Sequence, residues 1–172
     1  TIQDEKNDDG SAKGSASDTT GSLTAKGGGH GAGIGGSDKQ DGQATITGGK
    51  ITATGGNGAA GIGGGAGDKY AAVDGDGDVT ISGGTITATG GSGAAGIGGG
   101  LDGNGTVIIT GGDITAKARG YYGAGIGGGC GEIPKDTLIG GNGTVTISGG
   151  TITEASGGYM AAGIGSGYQG LG

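Results

Sequence analysis

Residues 79–100 read VTISGGTITATGGSGAAGIGGG, and this stretch decides the fold because both of its halves recur along the chain. The second half, an isoleucine enclosed by glycine and alanine, is repeated around Ile34, Ile62, Ile97, Ile126 and Ile164. The first half recurs at Ala44 to Gly56, Val79 to Gly91, Val107 to Arg119 and Val145 to Gly157. Recurrence at an interval of roughly 30 residues is typical of stacked copies of one supersecondary unit.

Aliphatic residues occupy every second position within each unit, as Val79 and Ile81 do, and this is the period of a strand with one buried face. We therefore predict an all-β fold, a right-handed parallel β-helix or solenoid with three short strands per coil and about four to five coils. The alignment also places Glu154 at an inward position, in line with Ala116. One continuous column of buried isoleucines is expected from Ile46, Ile81, Ile109 and Ile147.

The domain organisation follows from where the repeats begin. Residues 1–20 are rich in Asp, Ser, Lys and Gly and are interpreted as a linker or a partly ordered N-terminal cap, and residues 21–172 as the solenoid domain. A turn residue precedes a glycine at the start of each block, and we interpret these residues as a polar ladder inside one corner of the solenoid. They are Asp41, Asp76, Asn104 and Asn142.

Composition excludes several classes of protein. Glycine makes up 55 of 172 residues, but a single proline excludes the collagen triple helix. A formal charge of −7 argues against nucleic acid as a partner, and no stretch is long enough to insert into a membrane. One cysteine permits neither an intramolecular disulfide nor a cysteine-rich metal site.

The repeated blocks resemble those of a known class of proteins. The segment from Gly83 to Gly100 resembles the Gly-rich β-repeats of large cell-surface proteins of Gram-positive bacteria, and the predicted fold is similar to that of pectate lyases and related polysaccharide-binding modules. This resemblance implies an extracellular location, secreted or attached to the cell surface. It also implies a polysaccharide, or a host or environmental surface, as the partner.

Calcium is the one cofactor that the sequence suggests. Asp74, Asp76 and Asp78 alternate with glycine, and hard oxygen ligands in such an arrangement can converge on Ca²⁺, with Asp102 one coil later as a further ligand. An acidic, solvated turn is the other interpretation, in which the chain holds no cofactor.

We do not expect an enzyme. A calcium-dependent polysaccharide lyase is the alternative that the fold raises, but the sole arginine, Arg119, and the sole histidine, His30, have no carboxylate pair in register with them.

Two outward arrays are candidate binding surfaces. Threonines on the first and second strands resemble the flat face of ice-binding solenoids, although threonine is also simply a good strand residue. This array comprises Thr45, Thr47, Thr52, Thr54, Thr80, Thr85, Thr87, Thr89, Thr115 and Thr153. Exposed tyrosines, which could stack on sugar rings, form the second candidate, with Tyr70, Tyr121, Tyr122 and Tyr159.

The third strand offers a further surface, because its outward positions, such as Gly61 and Gly96, carry almost no side chain. Such backbone allows self-association through a Gly/Ala face, or it relieves a tight corner. Together these features predict a non-catalytic extracellular module that serves as an adhesive or carbohydrate-binding display or as a stalk. Ice binding is the rival hypothesis.

Overall fold

The computed structural model describes residues 21–67, 75–131 and 140–171, which form twelve strands. The strands are β1 (Ser22–Lys26), β2 (Ile34–Gly35), β3 (Gly42–Ile46), β4 (Lys50–Thr54), β5 (Ile62–Gly63), β6 (Gly77–Ser92), β7 (Ile97–Gly98), β8 (Gly105–Arg119), β9 (Ile126–Gly127), β10 (Gly143–Ile147), β11 (Thr151–Ser156) and β12 (Ile164–Gly165). All pairings between them are parallel. No helix among the described residues is long and apolar enough to cross a membrane.

Strands of successive coils stack into two parallel sheets, which confirms the predicted right-handed parallel β-helix. One sheet contains the first and second strands of the coils and the other the third strands, in the order β12-β9-β7-β5-β2. Five coils result, and the first of them has no first strand among the described residues. In the third and fourth coils the first and second strands run on as one, β6 and β8, rather than as two separate strands.

The buried core is the predicted aliphatic column. Ile46 pairs with Ile81, Ile81 with Ile109, and Ile109 with Ile147. The first three are fully buried, whereas Ile147 is 41% exposed because no further coil covers it in the structure. Since each coil contributes equivalent side chains, the core extends by addition of coils and not by growth in width.

The Gly-Gly corner between the first and second strands depends on backbone that other residues rarely adopt. Gly84 and Gly112 have φ angles of 94° and 95°. A Cβ atom on Gly84 would also lie 2.6 Å from the carbonyl oxygen of Gly49 in the preceding coil. Both the bend and the close stacking of coils therefore require glycine here.

The expectation of a bare outward face on the third strand is wrong for the inner coils. Gly61, Gly96 and Gly125 are buried, and a Cβ atom on any of them would lie within 2.7 Å of a backbone nitrogen at the end of a second strand. The third strands thus pack directly on the ends of the second strands, and only glycine permits that approach. A second copy could not contact these buried glycines. Self-association stays a prediction, but the inner-coil glycines of the third strands would not form its interface.

The predicted inward position of Glu154 is also wrong. The register of β11 on β8 shifts between Ile152 and Glu154, so that Ala155 pairs with Ala116 and Glu154 with Thr115. Thr153 is the extra residue of this β-bulge. The bulge turns the carboxylate outward, where Glu154 Oε2 lies 2.7 Å from Lys117 Nζ and Oε1 accepts a 2.6 Å hydrogen bond from the Ser156 hydroxyl.

Two adjacent isoleucines in β8 test which face is buried. Ile109→Ala removes a fully buried side chain, and we expect the free energy of unfolding to fall by about 2–5 kcal/mol. Ile108 points outward and is 39% exposed, so the matched variant Ile108→Ala should cost less than about 1 kcal/mol. Urea unfolding followed by circular dichroism measures both. Equal losses would contradict the inward and outward assignment.

The ion pair at the bulge predicts a pH dependence. The hydrogen bonds from Lys117 and then Ser156 lower the pKa of Glu154, so its contribution to stability is present at neutral pH and is lost as pH falls through that lowered pKa. Glu154→Gln should therefore lower the Tm at pH 7, and the difference from wild type should shrink on acidification. In a Lys117→Gln background the same substitution should have less effect. A difference that widens at acidic pH would contradict this account.

Candidate functional site

The predicted polar ladder is present and accounts for the acidic turn residues at its positions. Asp41 Oδ1 accepts a hydrogen bond from the Asp76 backbone N–H at 2.9 Å, and Asp76 Oδ1 accepts one from Asn104 N–H at 2.7 Å. Asn104 and Asn142 continue the series through their own Oδ1 atoms, with Asn142 N–H and Leu171 N–H as donors. These side chains satisfy backbone donors at each coil, which is a structural role.

The carboxylates proposed as calcium ligands are only partly described. Asp76 Oδ1 already accepts hydrogen bonds from both the backbone and the side-chain amide of Asn104, and Asp78 accepts one from the Gln43 amide at 3.5 Å. Asp102 adopts a positive φ of 58° in a separate turn, and Asp74 lies outside the described residues. Within the described ranges no three acidic, histidine or cysteine side chains form a group that could hold a metal ion. Calcium binding stays a prediction that requires Asp74.

The threonine array is regular only in its central column. Thr52, Thr87 and Thr115 pair in register, and Thr24, which is not a member of the predicted array, extends the column by one coil. Because of the bulge, Glu154 occupies the next position in place of the predicted Thr153. Four hydroxyls therefore lie in line, at about 4.8 Å from coil to coil.

Charged and aliphatic residues interrupt the columns on either side. Thr54 and Thr89 lie between Lys26 and Lys117, and Thr85 lies between Lys50 and Asp113. On the first strand, Thr45 and Thr80 are followed by Ile108. Thr47 lies next to this column, just beyond the end of β3.

Tyrosines are concentrated at the corner between the second and third strands, which we call the tyrosine corner. Tyr121 and Tyr159 each lie five residues before a third-strand isoleucine, and those isoleucines, Ile126 and Ile164, pair with each other. The two tyrosines are 66% and 80% exposed. A hydrogen bond of 3.1 Å from Met160 N–H to the Tyr121 carbonyl joins the two coils there.

Tyr122 and Tyr168 support this surface from within. Their ring centroids are 5.1 Å apart, and those of Tyr121 and Tyr122 are 5.8 Å apart, both in tilted arrangements. The Tyr168 N–H also donates to the Tyr122 carbonyl at 2.8 Å. The rings of Tyr121, Tyr122 and Tyr168 thus form one packed aromatic group, with Tyr122 in the middle. Its outer member, Tyr121, is accessible to solvent.

Tyr168 was absent from the predicted site, although the repeats contain the signal that locates it. It follows Ile164 by four residues, as the buried Ala66 and Cys130 follow Ile62 and Ile126. Each of these residues donates its backbone N–H to the corner of the preceding coil. Tyr70, the fourth predicted member of the sugar site, lies outside the described residues.

The spacing between the second-strand and third-strand isoleucines is one residue longer in the fourth coil than in the third. Ile114 and Ile126 are twelve positions apart, whereas Ile86 and Ile97 are eleven apart. The register of β6 on β8 shifts between Thr89 and Ser92, so that Ser92 pairs with Arg119, and Gly120 follows with a φ of 93°. This insertion places an exposed Arg119 two residues before Tyr121.

The two residues raised by the lyase hypothesis are far apart in the fold. His30 lies at the corner of the first coil and Arg119 at that of the fourth, so they do not form one site.

Comparison with known proteins identifies the repeat. A family model described as beta helix repeat matches residues 45–66, 79–101, 104–130 and 145–168. Each match begins in or next to the first strand of a coil and ends in the turn after its third strand. No curated protein and no solved structure matches the chain. Because the four segments together cover more than half of its length, this chain belongs to the beta helix repeat family.

Proposed function

We propose that this β-helix is a non-catalytic carbohydrate-binding module whose tyrosine corner stacks on sugar rings. The observation that carries the proposal is the exposure of Tyr121 and Tyr159 at equivalent positions of adjacent coils. Folded proteins bury most of their aromatic area, so two largely exposed tyrosines at the same corner of adjacent coils are candidates for contact with a partner.

The rest of the corner supplies groups that a sugar also needs. Asn57 and Ser92 each lie five residues before the third-strand isoleucine of the two preceding coils, as Tyr121 does in its own coil, and both are exposed. Amide and hydroxyl groups can donate to and accept from sugar hydroxyls. Since adjacent coils are about 4.8 Å apart, a distance comparable to the length of one pyranose residue, an extended glycan could contact one coil with each sugar along the solenoid axis.

A rigid scaffold supports the site. Tyr122 contacts the ring of Tyr121 and is itself packed against Tyr168, which reduces the side-chain freedom that Tyr121 would lose on binding. The likeness to bacterial cell-surface repeats supports an extracellular location, secreted or surface-attached. There the solenoid would act as an adhesive display, with its remaining coils as a stalk.

Substitution of the exposed tyrosines tests this function. Tyr121→Ala and Tyr159→Ala should each weaken glycan binding about 5-fold or more, as expected for loss of an aromatic contact worth about 1 kcal/mol. The matched variant Tyr121→Phe keeps the ring and should retain most of the affinity. A glycan array followed by calorimetry on its positive members measures the effect. An array without any signal that depends on these tyrosines would refute the proposal.

Ice binding is a second candidate, which the in-register hydroxyls of Thr24, Thr52, Thr87 and Thr115 favour. If this column contacts ice, the protein should show thermal hysteresis, and Thr87→Tyr should abolish it by raising a bulky side chain above the flat face. Thr146→Tyr, outside the column, is the matched control. Wild-type protein that neither shapes ice crystals nor shows hysteresis would exclude this function.

A further inference from the structure

Charge is distributed unevenly over the described residues, although the whole chain is acidic. Several carboxylates lie in the turns from third to first strands, namely Asp38, Asp41, Asp76 and Asp102. The second strands carry most of the cations, namely Lys26, Lys50, Lys117 and Arg119. The formal charge of −7 therefore does not describe the second-strand face that leads to the tyrosine corner.

Near that corner the positive charge is only partly compensated. Glu154 forms its ion pair with Lys117, at 2.7 Å. Arg119 is exposed, and its guanidinium makes no hydrogen bond or ion pair with the other described residues. An arginine guanidinium stays charged throughout the accessible pH range and presents several N–H donors in one plane. Its charge is thus available to a ligand at the tyrosine corner.

The position of Arg119 relative to Tyr121 suits one ligand that contacts both. Their Cα atoms are two residues apart, which limits the separation to about 7 Å. Arg119 pairs with the exposed Ser92 in the adjacent coil. A pyranose ring stacked on Tyr121 would therefore have its ring substituents within reach of the guanidinium.

On the basis of the proposed function, we infer that the tyrosine corner selects glycans that carry anionic groups, either carboxylates or sulfates. Arg119 binds the anionic group, and Tyr121 contacts the sugar ring that bears it. Guanidinium groups form bidentate, charge-assisted hydrogen bonds with carboxylates and with tetrahedral oxyanions, and these bonds are stronger than hydrogen bonds between neutral groups. Arg119 is accordingly the residue that determines specificity, whereas the tyrosines provide the affinity common to neutral and anionic glycans.

A series of polymers with one backbone tests this inference. Dextran, carboxymethyl dextran and dextran sulfate differ in the presence and kind of anionic group, and binding is measured by affinity electrophoresis and calorimetry. We expect both anionic polymers, or the one that carries the preferred group, to bind at least about 10-fold tighter than dextran, with an affinity that falls as salt is raised. Arg119→Gln should remove this preference, because it should weaken binding of the anionic polymers by a much larger factor than binding of dextran.

Lys50→Gln is the matched control, since it removes one positive charge from a second strand at the end away from the tyrosine corner. It should leave the preference intact. Equal losses from Arg119→Gln and Lys50→Gln would indicate a general electrostatic effect and overturn the inference. So would tyrosine-dependent binding without preference for charge, which would leave the proposed function standing. Absence of tyrosine-dependent binding on the polymers and on the glycan array would instead refute the proposed function, and the inference with it.

Discussion

Every coil of this β-helix hydrogen-bonds to the next through parallel ladders in which residues of the same kind meet, as Ile81 meets Ile109 and Gly98 meets Gly127. This register is a constraint on every position at once. A side chain that suits one coil must also suit the coil above and the coil below, since their backbones lie about 4.8 Å apart. The recurring isoleucine, Gly-Gly and Asx-Gly elements are the sequence consequences of that single requirement.

Glycine shows most directly how strict the constraint is. At Gly98, with a φ of 127°, a Cβ atom would lie 2.0 Å from the carbonyl oxygen of Gly127. The high glycine content raises the entropic cost of folding, yet it allows the third strands to pack against the second strands almost without side chains. The narrow core that results needs only two columns of aliphatic residues from the first strands, two from the second strands and one column of isoleucines from the third strands. Stability therefore comes from repetition of modest contacts and not from a wide hydrophobic interior.

Most of the fold could be predicted from the sequence, because coils that stack in register require similar residues at a fixed interval and so produce a sequence repeat. Ile46, Ile81, Ile109 and Ile147 were predicted to form one column and do so. The inward assignment of Glu154 failed because a single-residue bulge moves every later side chain to the other face. Strict alternation cannot reveal such a bulge, although a carboxylate at a core position was a sign of it. The burial of Gly61 was missed because alternation does not show how closely two strands approach.

The tyrosine corner is where the constraint of stacking is relaxed, and this explains both its composition and its partial predictability. Inward strand positions must accept the same kind of residue in each coil, whereas the corner position five residues before each third-strand isoleucine holds Asn57, Ser92, Tyr121 and Tyr159 in turn. A corner can also take an inserted residue, as at Gly120, without disturbing the register of Ile126 on Ile97. Variation at this position indicates that it is free of the packing requirement, and the proposed function makes use of that freedom. The sequence could locate Tyr121 and Tyr159 for this reason. The contact of Tyr168 with Tyr122 joins two different turns. It could not be predicted from the sequence, because the prediction requires the path that the chain takes after the third strand.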